Sequence, residues 1–200
     1  MAIRFQYNKT YLQQLNKGLR VRENALPTLA AKESALRLEV KRARDEAARV
    51  AERLEQEMAG QAATLRLWAE LPQDLVKVLK AEVAVRKIAG VKTPVLQNVV
   101  FDVMPYSAFA SAAWLPSGVE VMKQLATLEI ELQLAKQKVA DLEFARKKTT
   151  QKVNLYEKVQ IPEYKAAISK IKRFLEDEEN LSKSSQKILK NKLARAEADA

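Results

Sequence analysis

The residues of this chain whose type and spacing could do chemistry are basic: Arg42, Arg44, Arg49 and Arg53 in one stretch, and Arg146, Lys147 and Lys148 in another. Such side chains attract anionic surfaces over roughly a Debye length. With 35 Lys and Arg against 25 Asp and Glu, and a formal net charge of +10, an acidic partner is expected. Covalent chemistry is far harder to assemble. Neither cysteine nor histidine occurs, which removes thiol nucleophiles, disulfides, the commonest metal ligand and the commonest general base near neutral pH. Gly90, Val91, Lys92 and Thr93 superficially resemble a phosphate loop but lack its first glycine and its Gly-Lys step. No catalytic residue, cofactor or metal site is therefore expected. The basic residues are interleaved with Glu and Asp and lack stacking aromatics, so nucleic acid is not expected as a partner either.

Positioning such residues falls to long helices. Apolar residues recur at three-and-four spacing through Leu12, Leu15, Leu19, Leu26, Leu29, Leu36, Val40, Val50 and Leu54, and again through Val121, Leu125, Leu128, Leu132, Val139, Leu142, Val153 and Tyr156. These are two coiled-coil seams that can zip together, predicting a mainly α fold: a long antiparallel two-helix coiled-coil hairpin with a small middle insert. At about 1.5 Å per residue the arms would reach roughly 70 and roughly 90 Å. The four glycines and six prolines fall mostly in the middle, between the arms. The predicted organisation is an N-terminal arm over residues 10–70, the insert over 71–117, a C-terminal arm over 118–182 and a Lys-rich tail over 183–200.

Thr10 with Gln13, and Ser117 with Glu120, have the form of capping boxes and place the two arm starts. Arg22 and Glu33 are charged seam positions, and Pro27 is expected to bend the first arm or to mark its true start. Leu71 and Pro72 should end that arm. Within the insert, Pro72, Asp74, Leu75, Val76, Leu79 and Val83 suggest a short amphipathic helix. The β-branched runs 83–91 and 98–103 then suggest a β-hairpin around Gly90. A two-stranded ribbon is marginal alone and should lean on the short helix or on a partner, so Val85, Ile88, Val99 and Phe101 are candidate contacts. Tyr106, Phe109 and Trp114, in an apolar connector, are either further binding anchors or the cap of a small middle core. Farther on, Pro162 predicts a kink, and the apolar set resumes in shifted register at Tyr164, Ile168, Ile171 and Leu175. The tail from Lys183 is expected to be frayed or weakly helical.

Two stretches carry a resemblance. Val153, Asn154, Leu155, Tyr156 and Glu157, followed by Ile161, Pro162, Ile168, Ile171, Leu175 and an acidic cluster before a Lys-rich tail, resemble the C-terminal helix of the D subunit of V-type and archaeal-type rotary ATPases. Phe5, Gln6, Tyr7, Asn8, Lys9 and Thr10 resemble the start of the same subunit, and Gly90 to Pro94 resemble its central insert. The resemblance implies a non-catalytic central-stalk subunit that couples ATP hydrolysis or synthesis to ion translocation. The partners it implies are the catalytic and nucleotide-binding subunits of the hexamer, the small F subunit, and a subunit connecting the stalk to the membrane ring. The basic residues named above are then candidates for a belt facing an acidic sleeve. No run is long and apolar enough to cross a bilayer, so the expectation is a cytoplasmic protein, peripheral to the membrane within its complex, with no direct membrane insertion. The rival reading is a helical-hairpin scaffold or chaperone-like binding protein, for which the seams alone would suffice.

Overall fold

The computed structural model describes residues 6–62, 65–68, 74–107 and 111–198. Its elements are α1 (Lys9–Gly60), α2 (Leu65–Trp68), β1 (Val76–Ile88), β2 (Val91–Val103), α3 (Leu115–Asn154), a π-helical turn (Leu155–Gln160) and α4 (Ile161–Ala198). The chain is mainly helical, with one two-stranded antiparallel sheet. It divides into two compact units, residues 1–31 with 149–200 and residues 32–148. Phe5, Leu71, Pro72 and Phe109 lie outside the described residues.

In the first unit, the start of α1 packs on α4. Leu15, Ala167, Ile168 and Ile171 are buried, with Tyr11, Leu12, Leu19, Tyr164 and Leu175 around them. The partners run antiparallel: Tyr7 meets the Phe174 ring at 4.7 Å, and Glu23 pairs with Lys165 at 3.0 Å. α1 begins one residue before the expected cap, because Asn8 caps it. The Asn8 Oδ1 accepts the Tyr11 N–H at 2.6 Å, and Thr10 sits inside the first turn. Pro27 is carried inside α1, which neither starts nor stops there. Gly18 is required by a close approach, since a Cβ there would lie 2.8 Å from the Tyr164 ring. Gly18→Ala is therefore expected to destabilise the protein by about 1 kcal/mol despite the better helix propensity of alanine, which thermal unfolding will read.

The second unit holds two apolar clusters. Leu36, Val40, Ala43 and Leu142 form one, covered by Ile88, Ala89, Val91, Val139 and Ala145, so the tip of the β-hairpin seals this stretch of the helix pair. Leu75, Leu115 and Val119 form the other, with Val76, Val103, Tyr106 and Trp114 against it. α3 starts at Leu115 with Pro116 in the first turn, where a missing N–H is harmless, so Ser117, where the capping box placed the start, lies inside that turn.

Residues 76–83 are strand, where a short helix was expected. The reason is a bulge. Val78 pairs with Phe101 and Lys80 with Val100, which leaves Leu79 as an extra residue. One extra residue in a period-2 pattern turns two-residue spacing into three, and Val76, Leu79 and Val83 then mimic a helical face. The hairpin closes in two residues, Ala89 at φ 49° and Gly90 at φ 82°, the geometry of a type I′ turn. Alanine at positive φ is strained, so Ala89→Gly is expected to stabilise the ribbon by about 1 kcal/mol in a denaturant titration.

α4 is helical through Ala198, beyond the point where fraying was expected. The stretch is rich in Lys, Leu, Ala and Arg, good helix formers, and opens with a Glu179–Lys183 pair at 2.8 Å that holds the Glu179 carboxyl below its ordinary range.

Candidate functional site

A regular helix turns about 100° per residue, so Arg42, Arg49 and Arg53 fall on one stripe of α1 while Arg44 falls on the far side of the seam. All four side chains are exposed. Arg42 pairs with Glu39 at 2.7 Å, and the Arg49 Nε donates to the Asp45 carbonyl at 3.2 Å. Arg44 is engaged across the helix pair by Glu143, with Nε donating at 2.8 Å, and Lys138 pairs with Glu46 at 2.6 Å. The expected belt is therefore divided: Arg44 serves the pairing of α1 with α3, whereas Arg42, Arg49 and Arg53 remain presented outward. On α3, Arg146 is half-buried, Lys147 is exposed, and the Lys148 ammonium lies 4.3 Å from the centre of the Phe144 ring.

The seam residues are all buried or half-buried. Leu36 and Leu142 are fully enclosed, Leu15, Val40, Val50 and Leu132 are buried, and Leu12, Leu19, Leu26, Leu29, Leu54, Val121, Leu125, Leu128, Val139, Val153 and Tyr156 are half-buried.

The hairpin sorts its candidates into two kinds. Ile88, Tyr106 and Trp114 pack on the two clusters, and Trp114 meets Trp68 edge-on at 6.0 Å, so these three complete the unit's own core. Val85 is 67% exposed, and Val99 and Phe101 are half-buried. Sequence reasoning missed Val78, Leu79, Val83, Val95 and Val100, which are also exposed. The signal was the alternation Val83, Val85, Lys87 opposite Leu96, Pro94 and Lys92, which places apolar residues on one face of the ribbon and lysines at its tip. Thr93, fully buried, ties the tip together by donating its hydroxyl to the Arg86 carbonyl at 3.0 Å.

Among the described residues no cluster of three or more acidic side chains could hold a metal ion, and no helix is long and apolar enough to cross a membrane. A cleft of the first unit, lined by Tyr7, Lys9, Leu12, Leu175, Glu179 and Ser182 among others, offers carboxylates, ammonium groups and a hydroxyl. The arrangement can grip and orient a partner through charge and apolar contact.

The family model described as the ATP synthase D subunit matches residues 11–191. The chain belongs to the ATP synthase D subunit family. Similar curated proteins include the V-type ATP synthase D subunit of Chlamydia felis, 28% identical over 176 residues that cover 86% of this chain and 85% of that protein. The same-named protein of Chlamydia trachomatis is 30% identical over 173 residues, covering 84% of this chain and 85% of the other. That of Borreliella burgdorferi is 32% identical over 106 residues, a match spanning 53% of this chain and 52% of the relative. The D-subunit match thus runs through both units, including the hairpin and the π-helical turn.

Proposed function

We propose that this chain is the central rotor-shaft subunit of a V-type ATPase or ATP synthase, carrying rotation between the catalytic hexamer and the membrane ring. The observation that carries the reading is the family match over residues 11–191. The chain itself performs no catalysis. ATP chemistry belongs to the hexamer, and the shaft biases each catalytic site by making different contacts with it at different rotational positions.

Paired helices suit that task. Burial of Leu36, Val40, Ala43 and Leu142 in one seam, and of Leu15, Ile168 and Ile171 in another, resists unwinding better than a lone helix would. Exposed Arg42, Arg49 and Arg53 form the part of the surface that faces an acidic sleeve in the hexamer, held by long-range attraction that does not fix a single position. The apolar face of the hairpin, with Val78, Val83 and Val85, receives the small F subunit. A further subunit joins the shaft to the ring, and the protein sits on the cytoplasmic side, peripheral to the membrane.

The test is affinity purification of the tagged full-length chain from its native cells, with mass spectrometry of what accompanies it. Recovery of V-type catalytic subunits and a small F-like protein is the expected result. Recovery of assorted unfolded clients without those subunits would overturn the reading in favour of a scaffold. Val85→Asp is expected to lower recovery of the small partner about tenfold while leaving the catalytic subunits in place, since a charge on an apolar contact costs at least about 1.4 kcal/mol of binding.

A further inference from the structure

The second long helix does not keep one register. Counting from Tyr156 in steps of four and three gives positions 160, 163, 167, 170 and 174, yet the side chains turned inward beyond the joint are Tyr164, Ile168, Ile171 and Leu175, with Ala167 buried beside them, while Lys170 and Phe174 are exposed. The seam resumes one residue late. Between the two registers lies the π-helical turn Leu155–Gln160, where the Ile161 N–H reaches back five residues to the Tyr156 carbonyl. A π turn takes up one residue more than the α turn it replaces, so it absorbs the offset. Pro162 stands two residues past its end, after Ile161. With no N–H to offer, and a ring that displaces the carbonyl of Lys158, proline already forbids the regular ladder at this level and lowers the cost of widening it.

Opposite the turn, α1 carries Arg22, one of the two charged residues in its apolar seam. Its Nε donates to the Gln160 Oε1 at 2.7 Å, its Nη1 donates to the Gly18 carbonyl at 3.0 Å, and its guanidinium lies 4.3 Å from the centre of the Tyr164 ring. Gln160 ends the π turn and Tyr164 begins the shifted register. One side chain thus holds the last residue of the widened turn and the first inward residue of the shifted register.

We propose that Leu155–Gln160 is a one-residue slip joint and that Arg22 is its latch. In the latched state the turn is π-helical, and Tyr164, Ile168 and Ile171 face α1. In the released state the turn tightens to α, and every residue beyond it advances about 1.5 Å and rotates about 100° about the helix axis. Arg22 favours the first state because Gln160 and Tyr164 lie within its reach together only when the extra residue is taken up between them and Tyr156. The joint is a property of the free chain and stands apart from the rotor reading. In a rotor it would let the terminal helix yield in twist without melting.

The absence of native cysteine makes the test direct. In the full-length chain, Tyr7→Cys paired with Phe174→Cys reports the latched register, and Tyr7→Cys paired with Arg173→Cys reports the released one. Arg22→Gln is expected to raise the disulfide yield of the 173 pair relative to the 174 pair about tenfold, and to speed amide exchange at residues 158–161 by a similar factor. Ratios and exchange within twofold of the parent would overturn the proposal. Deleting Lys158 together with Pro162→Ala removes the extra residue and restores the missing donor. That chain is expected to keep the 174 pair, by parent numbering, and to become insensitive to Arg22→Gln. Loss of the 174 pair in it would show that the turn does not absorb one residue, and would also overturn the proposal.

Discussion

Leu142→Ala is expected to destabilise the protein by about 3 kcal/mol, because the side chain is fully enclosed against Leu36, Val40 and Ala43 and its removal leaves a cavity in a thin core. Domains of ordinary size hold only about 5–15 kcal/mol in total, so a large part of the stability should go with one side chain. Urea unfolding followed by circular dichroism will show a lower midpoint with an unchanged slope. Leu36→Ala should cost a similar amount. The double variant should cost less than the two together, since both residues line the same void. Leu38→Ala is the control: Leu38 is 50% exposed on the same helix, and its loss should change stability by less than about 0.5 kcal/mol. Equal effects at Leu38 and Leu142 would mean that the seam does not carry the fold.

The second large effect concerns the arginine stripe. Reversing Arg42, Arg49 and Arg53 to glutamate changes the net charge by six, two at each position, and takes the chain from +10 to +4. Association with the catalytic hexamer should slow by about tenfold or more at low ionic strength, and the difference should shrink as salt is raised above about 0.5 M, where the Debye length falls to a few ångströms. The fold should survive the change. All three side chains are exposed, and the contacts forfeited are a helical Arg42–Glu39 pair of about 0.5 kcal/mol at most and the exposed Arg49 bond to the Asp45 carbonyl. Association rates that match the parent at low salt would show that the stripe faces no acidic surface.

Much of the fold was legible because helical burial has a strict period. Leu36 and Leu142 lie in almost unbroken three-and-four patterns, and the paired long helices follow from them. The hairpin was legible around Gly90, where β-branched residues flank a turn signal, but its first strand was hidden by the extra residue Leu79, which disguises alternation as a helical face. The shift of register at Tyr164 was also visible in the sequence. Its structural form was not, because Pro162 is compatible with a kink or a widened turn, and the choice depends on Arg22 reaching Gln160 from another helix. Asn8 and Thr10 are both capping residues two positions apart, and local sequence does not rank them. The candidate site was legible only as residue types. Which arginines are spent on internal pairs, as Arg44 is on Glu143, depends on what the opposing helix brings alongside.

The hairpin carries one more consequence. Leu79 is the extra residue on β1, and Gln97 is the extra residue on β2, between the Glu82–Asn98 and Val83–Leu96 pairs. The two irregularities offset each other, so both strands run 13 residues and Val76 still meets Val103 at the base as Ile88 meets Val91 at the tip. A deletion at either position alone would remove one bulge and leave every pair in place, with Val76 still opposite Val103 and beside Leu115 and Val119. Deletion of both would leave the same pairs in a ladder without bulges. Each bulge can therefore be lost on its own in a related chain, and what goes with it is the local bend and twist it adds to the ribbon, not the register of the pairs.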